Sequence, residues 1–327
     1  MRLNLPRNSL RALLLSCAVL LSPHSQSQSY PAKPVRVIVP FAPGGGTDGI
    51  ARLFTQKLSE LWGQQAIVEN RAGAGGNIGT AVVAKSPADG YTMLFTPSGL
   101  AISSAIYKKL PFDPLTDFTA ISLTVQSHLA LVVSVKSPVT SVQDLIDRAK
   151  ANPGKLNFGS SGIGAPSHLM AEFLKLSAGL DMVHIPYKGD AQSMPALMAD
   201  EVQMVYVPIF IALQHMKAGR LRGIGVVGIA RSKSAPELPT MVEAGMKDFN
   251  FSSWLGYFGP AGMPRDVVQK ISRDIVAVHA MPDVIARLPG MGLEPGTLNS
   301  DEFAAYYRSE IEKYARVVKG AGIPAMD

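Results

Sequence analysis

Residues 35–52 read VRVIVPFAPGGGTDGIAR, and GGGTDG within them satisfies G-x-G-x-x-G behind a β-like apolar run and ahead of a helix-like segment. Two further strand-ending loops have the same character, NRAGAGGNIG over 70–79 and FGSSGIGAPSH over 158–168. Glycines let backbone N–H groups approach a ligand with no Cβ in the way, and a helix starting after each loop adds the positive end of its dipole. Each loop can therefore cradle an anion without a charged side chain.

The spacing of the first loop invites a dinucleotide, and Glu69 lies about 20 residues on, where a ribose ligand belongs. Two details oppose that reading. A dinucleotide fingerprint puts its first glycine at the strand end, whereas Phe41, Ala42 and Pro43 intervene here. Asp48 then falls in the first helical turn, where its charge opposes a pyrophosphate. Hydrolase chemistry fares no better, because FGSSGIG lacks G-x-S-x-G. Ser160 and Ser161 read as capping hydroxyls and His168 as a packed ring. Histidines 24, 128, 168, 184, 215 and 279 show no metal-ligand spacing, so neither a metal nor a cofactor is expected. One such loop alone would pass for a plain βα turn; three together favour a site for a small anion.

These loops need elements that bring them together. VRVIVP reads as a buried strand, and DGIARLFTQKLSELWG places Ile50, Leu53, Phe54, Leu58, Leu61 and Trp62 on one helical face closed by Gly63. QAIVEN, NIGTAVVAKS and YTMLFTPSG continue as strand, short helix and strand, a βαβαβ unit with a parallel sheet. After YKKLPFDPLTDFTAIS a second α/β unit begins with LALVVSV. A helix follows with capping-box spacing between Ser141 and Asp144, then the third glycine loop and the strands DMVHIPY, VQMVYV and LRGIGVVG. The last hundred residues contain SSWLGYFGPAGMP and a terminal helix with Phe303, Tyr307, Ile311, Tyr314 and Val318 on one stripe. They return to the first unit, so the chain crosses twice between two α/β lobes. The expected division is 30–125 plus about 231–327 for the first lobe and 126–230 for the second. In open α/β sheets ligands bind beyond the carboxyl ends of the strands, so the loops face each other across a cleft.

Ahead of these lobes, residues 1–29 carry Arg2, Arg7 and Arg11, an apolar run from Ala12 to Leu21, and then small polar residues. That is the pattern of a secretory signal peptide, with cleavage expected near Ser25 to Ser29. The run is half of the roughly 20 residues that cross a bilayer. A faint lipobox at Leu15-Ser16-Cys17 would leave almost no apolar core. The single cysteine, Cys17, departs with the leader, so the mature chain can form no disulfide. Twenty-eight basic and 25 acidic residues then remain, a net charge near +3. No basic stripe interleaved with aromatics points to nucleic acid.

Taken together, YPAKPVRVIVPFAPGGGTDGIAR, VENRAGAGGNIGT, SPADGYT, FDPLTDFTAIS, LNFGSSGIGAPSHLMAEFLK, IPYKG, MKAGRLRGIGV, SWLGYFGPAGMP and YARVVKGAGI resemble the Bug-type solute-binding proteins of tripartite tricarboxylate transporters. The match runs in family order along the whole mature chain. It implies a periplasmic Venus-flytrap protein, two α/β lobes each with a mixed sheet flanked by helices. Such a protein is a monomer that captures a small carboxylate, delivers it to membrane permease subunits and catalyses nothing. Carried over by motif, Phe41, Pro43, Gly44, Gly45, Gly46, Thr47 and Asp48 form one arm around a ligand carboxylate. Asn70, Arg71, Gly75, Gly76 and Asn77 form a second wall. Ser160, Ser161, Gly162, Gly164 and His168 grip from the opposite lobe, and Ser98, Tyr187 and Lys188 border the cleft.

One stretch departs from the family pattern. In VQMVYVPIFIALQHM, where small or polar residues are usual, Tyr206, Val207, Pro208, Ile209 and Phe210 are bulky and apolar. If Val207 and Phe210 line the cleft, an aromatic mono- or dicarboxylate of the benzoate or terephthalate kind suits it, with apolar walls for the ring and amide cradles for the acid. If they pack inside the second lobe, an aliphatic di- or tricarboxylate or an amino acid stands instead. His128, in QSHLAL near the expected crossing, is a further candidate contact. A module that signals to a membrane sensor kinase is the alternative output.

Overall fold

The computed structural model describes residues 30–228, 230–246, 249, 251, 253–296, 298–320 and 323–326. The expected leader lies outside the described residues. Strand and helix alternate from the start: β1 (Val35–Val39), α1 (Gly46–Trp62), β2 (Ala66–Asn70), α2 (Asn77–Ala84), β3 (Thr92–Pro97), α3 (Gly99–Ile106) and β4 (Phe118–Ser127). The chain then continues through β5 (Leu129–Ser134), α4 (Val142–Ala151), β6 (Leu156–Ser160), α5 (Pro166–Ala178), β7 (Met182–Pro186), α6 (Asp190–Met198), β8 (Met204–Pro208), α7 (Ile209–Lys217) and β9 (Leu221–Val227). It closes with β10 (Ser253–Pro260), α8 (Arg265–His279), α9 (Pro282–Gly290), β11 (Leu293–Pro295) and α10 (Ser300–Gly320).

Two mixed sheets result. The first has the order β11-β4-β10-β3-β1-β2 and the second β7-β6-β8-β5-β9. In the first, β1 is parallel to β2 and β3, while β10 runs antiparallel between β3 and β4. In the second, β6 is parallel to β7 and β8, and β5 is antiparallel to β8 and β9. The chain changes sheet after Ser127 and again between Val227 and Ser253. His128 sits between β4 and β5, and its Nε2 lies 3.1 Å from the carbonyl of Ala230 in the returning segment. The two crossings therefore touch, as a hinge requires.

Sequence pattern explains where each core sits. The apolar stripe of α10 buries Phe303, Tyr307, Ile311, Tyr314 and Val318 against the first sheet and α3. Fully burying a side chain of this size contributes roughly 1.5–3 kcal/mol. Trp254 of β10 packs edge-on to Phe303, ring centroids 5.6 Å apart, and its indole N–H donates to Glu310 at 3.0 Å. In α4 the Ser141 hydroxyl accepts the Asp144 N–H at 3.1 Å, the cap that the spacing implies. β8 is central in its sheet, which is why Met204, Val205, Tyr206 and Val207 are all buried.

Candidate ligand site between the lobes

Pro40 to Gly45 carry the chain from β1 to α1, with Gly44 at φ 81°, a left-handed conformation that favours glycine. Asp48, almost fully buried, holds this loop from behind. Its Oδ2 accepts the Gly44 N–H at 2.9 Å and the Arg52 Nε at 2.9 Å, while its Oδ1 accepts Asn70 Nδ2 at 2.9 Å. Asn70 Nδ2 also donates to the Phe41 carbonyl at 3.0 Å. Burial alone would raise the Asp48 acid, but the bonds from Arg52, Gly44 and Asn70 outweigh it and hold it below its ordinary value. With the loop braced in this way, Gly46 and Thr47 face the space in front.

On the opposite side β6 ends at Ser160, and successive strand residues point to opposite faces. Ser160 turns inward, where its hydroxyl bonds His184 Nε2 at 2.7 Å and accepts the Gly162 N–H at 3.1 Å. Ser161 turns outward, its Oγ 2.9 Å from the Ser167 Oγ at the start of α5. His168 lies beneath, its Nδ1 accepting the Gly164 N–H at 3.2 Å and its ring stacked on His184 with centroids 4.2 Å apart. Burial first, then His184 and Lys175 nearby, push His168 down to about 3, and burial with Lys175 takes His184 to about 4. Both rings are neutral props for the loop at physiological pH.

The two lobes meet. The Ala42 N–H donates to the Lys188 carbonyl at 3.0 Å, and the Tyr107 hydroxyl donates to the Ile163 carbonyl at 2.6 Å. A Cβ added to Gly75 would overlap the Ile163 carbonyl, and one on Gly46 would lie 2.8 Å from the Phe210 ring. Glycine at these two positions is what allows the approach.

Among the described residues, two cavities of the closed cleft lie against the glycine loops. The inner one, about 40 Å³, is lined by Phe41, Gly46, Thr47, Ile50, Pro97, Ser127, Leu129, Ser161, Pro166, Ser167, Asp190, Pro208, Phe210, Ser253 and Leu255. The outer one, about 280 Å³, is lined by Pro40, Phe41, Gly73, Ala74, Gly75, Gly76, Tyr107, Ser161, Gly162, Ile163, Pro186, Tyr187 and Lys188. Phe41 and Ser161 belong to both walls. Hydroxyl-bearing residues, apolar side chains and the acid Asp190 line the inner cavity, and among the described residues no Lys, Arg or His lines it.

The candidates from the sequence fall into three groups. Phe41, Gly46, Thr47, Ser161 and Phe210 line the inner cavity, while Gly75, Gly76, Gly162, Tyr187 and Lys188 line the outer one. Asp48, Asn70, Ser160, Gly164 and His168 brace the loops from behind. The rest lie on neither wall. Pro43 and Gly44 are exposed, Gly45 packs near the N-terminus of α6, Arg71 pairs with Glu69, and Asn77 opens α2. Ser98 borders a separate small cavity with Ile102, Met170 and Tyr314. His128 belongs to the hinge, and burial lowers its basicity. The bulky segment divides: Pro208 and Phe210 reach the inner cavity, whereas Tyr206, Val207 and Ile209 are buried in the cores. Sequence reasoning did not find Ser127 and Ser253, which β4 and β10 pair directly, nor Asp190, although the helix start after Tyr187-Lys188-Gly189 marks its place.

A family model described as "Tripartite tricarboxylate transporter family receptor" matches residues 50–323. The chain belongs to this family. It is 34% identical over 313 residues, 95% of this chain and 93% of the relative, to the "UPF0065 protein in tcbD-tcbE intergenic region" of Pseudomonas sp. (strain P51). Among solved structures it resembles the periplasmic binding protein BugD, with TM-score 0.87, 32% identity, and coverage of 91% of this chain and 100% of that one. The R. palustris protein Rpa4515 with adipate is equally similar, with TM-score 0.87, 33% identity, and coverage of 91% and 100%. The fold is thus the two-lobe architecture of periplasmic binding proteins, and the tricarboxylate-receptor chain is a binding protein, not an enzyme.

Proposed function

We propose that this receptor captures a small carboxylate between its lobes in the periplasm and delivers it to the membrane subunits of a tripartite transporter. One observation carries the reading: a glycine loop and helix N-terminus from each lobe converge on one cavity whose wall has four serines, a threonine and the single acid Asp190 but no cation. A carboxylate at such a place needs only aimed N–H and O–H donors, and a site without a salt bridge releases its ligand readily. The adipate in Rpa4515 supports an acid as the ligand class. Residues 1–29 serve as the export signal, and the mature chain works as a monomer. The lobes divide near residue 126 and within 228–252, where the chain changes sheet.

Phe41, Ile50, Leu129, Phe210 and Leu255 give the inner cavity an apolar wall, which favours an acid with a flat apolar or aromatic body over citrate. At roughly 10–15 Å³ per water, 40 Å³ holds about three waters. A ring-sized acid therefore also occupies the outer cavity, displacing Phe41 or Ser161 from the shared wall. The test is a thermal-shift screen of the chain lacking residues 1–29 against aliphatic and aromatic mono-, di- and tricarboxylates, amino acids and NAD. A ligand that binds the folded state raises the melting temperature as its concentration exceeds Kd. A rise with one carboxylate class is the expected result; a rise with NAD alone would overturn the reading.

A further inference from the structure

Within that carboxylate-receptor reading, on which this inference rests, Asp190 bears on which acids are accepted. It is the first residue of α6, is 8% exposed and lines the inner cavity. The backbone N–H of Gly46, on the other lobe, lies near enough to its carboxyl to draw the acid down. The starts of α6 and α1 face each other here: a Cβ on Gly45 would lie 3.8 Å from the amide nitrogens of both Asp190 and Ala191. Two positive helix ends thus converge, and Asp190 supplies a tethered acid between them.

That acid changes what can enter. The nearest cation on either wall, Lys188, lines the outer cavity rather than the inner one. Burial pushes the Asp190 acid up to about 6 against the pull of the Gly46 N–H, a sign that these surroundings already resist one negative charge. A second carboxylate packed against it has no cation to offset the repulsion. A hydroxyl or ammonium group on the ligand, by contrast, donates to Asp190 and leaves the ligand's own carboxylate to the hydroxyls of Thr47, Ser161 and Ser167. We infer that Asp190 is a specificity-determining residue, selecting monocarboxylates that carry a hydrogen-bond donor beside the acid and discriminating against dicarboxylates.

The test is calorimetric titration of the mature protein and Asp190→Asn with matched acids: lactate against propionate, mandelate against phenylacetate, alanine as the ammonium probe, and succinate as the diacid. Asn keeps the shape but presents an N–H₂ donor, so its effect on acids with and without a donor has opposite signs. The wild type should bind the donor-bearing member of at least one pair tenfold or more tightly, and succinate no better than propionate. In Asp190→Asn the ratio should fall below threefold and succinate should gain. Alanine against lactate tells whether ammonium or hydroxyl is the preferred donor. Should the Asn variant not fold, Asp190→Ser serves in its place. Equal ratios in wild type and variant, with acids still bound, would overturn the role of Asp190 alone. Binding of none of these acids by either protein would overturn this inference, whereas the carboxylate reading itself falls only if the broader melting screen also finds no acid.

Discussion

Replacing Gly46 by Ala should block lobe closure while leaving each lobe intact. Gly46 opens α1, where alanine is a better helix former than glycine. The new methyl, however, would stand 2.8 Å from Phe210 Cζ, 3.0 Å from Ile211 Cδ1 and 3.2 Å from Pro208 Cγ, all on the opposite lobe. Those contacts exist only when the cleft is shut. Overpacking of this kind costs about 1–3 kcal/mol, and at 1.4 kcal/mol per tenfold the affinity for any ligand that requires closure should fall about 5- to 150-fold. Urea unfolding of the unliganded protein should move by no more than about 0.5 kcal/mol, because it can open to relieve the contact. Calorimetric titration with the acid that gives the largest melting rise measures the loss. Phe210→Ala removes the nearest atom along with part of the cavity wall, so in that background Gly46→Ala should cost little further affinity, a coupling of about 1 kcal/mol or more. Unchanged binding in Gly46→Ala, or a loss that Phe210→Ala leaves untouched, would refute the claim that the lobes meet here.

Asp48→Asn puts an amide N–H₂ against Asn70 Nδ2 and weakens bonds to Gly44 and Arg52; at about 1.5–3 kcal/mol per charged hydrogen bond, urea denaturation should show a loss near 2 kcal/mol. A change under about 0.5 kcal/mol would contradict its role as the loop's brace. Because the folded Asp48 acid is lowered from 3.8, the stability it contributes is present above that value and is lost as pH falls through the folded pKa. Tyr107→Phe removes the 2.6 Å bond to the Ile163 carbonyl; about 1 kcal/mol less closure should weaken every ligand by about fivefold, and a loss confined to one ligand would argue for direct contact instead. His168 and His184 fall from 6.5 to about 3 and about 4, so below 6.5 the unfolded chain binds more protons and stability should decline toward pH 4. His184→Gln should flatten that slope in pH-dependent melting, and an unaltered slope would place the titration elsewhere.

Local pattern made much of this molecule legible. The 3.6-residue stripe of α10, the cap at Ser141 and the three glycine loops all act within a few residues of themselves, and the structure shows each of them. Long-range pairing left no such trace. β10 inserts between β3 and β4, which sets Ser253 opposite Ser127 on the cavity wall, and neither serine signals this in its own neighbourhood. Phe210 and Val207 look alike as apolar residues, yet one starts a helix that faces the cleft and the other lies in a central strand buried on both sides. Asp190 reads locally as an ordinary acid in a helix's first turn; only the meeting of the lobes puts it on one cavity wall with Gly46. The glycine loops show a related division of labour, since their most polar members, Asp48 and Ser160, point away from the cavity and position the residues that face it.

The most direct test of the account is a crystal structure of the mature protein with the acid that most raises its melting temperature. The expected result is a closed cleft with the acid in the inner cavity, its carboxylate within hydrogen-bond distance of the Thr47 and Ser161 or Ser167 hydroxyls and its body against Phe41 and Phe210. An acid bound outside the interlobe cleft, or seated there with the lobes apart and Phe210 untouched, would contradict it.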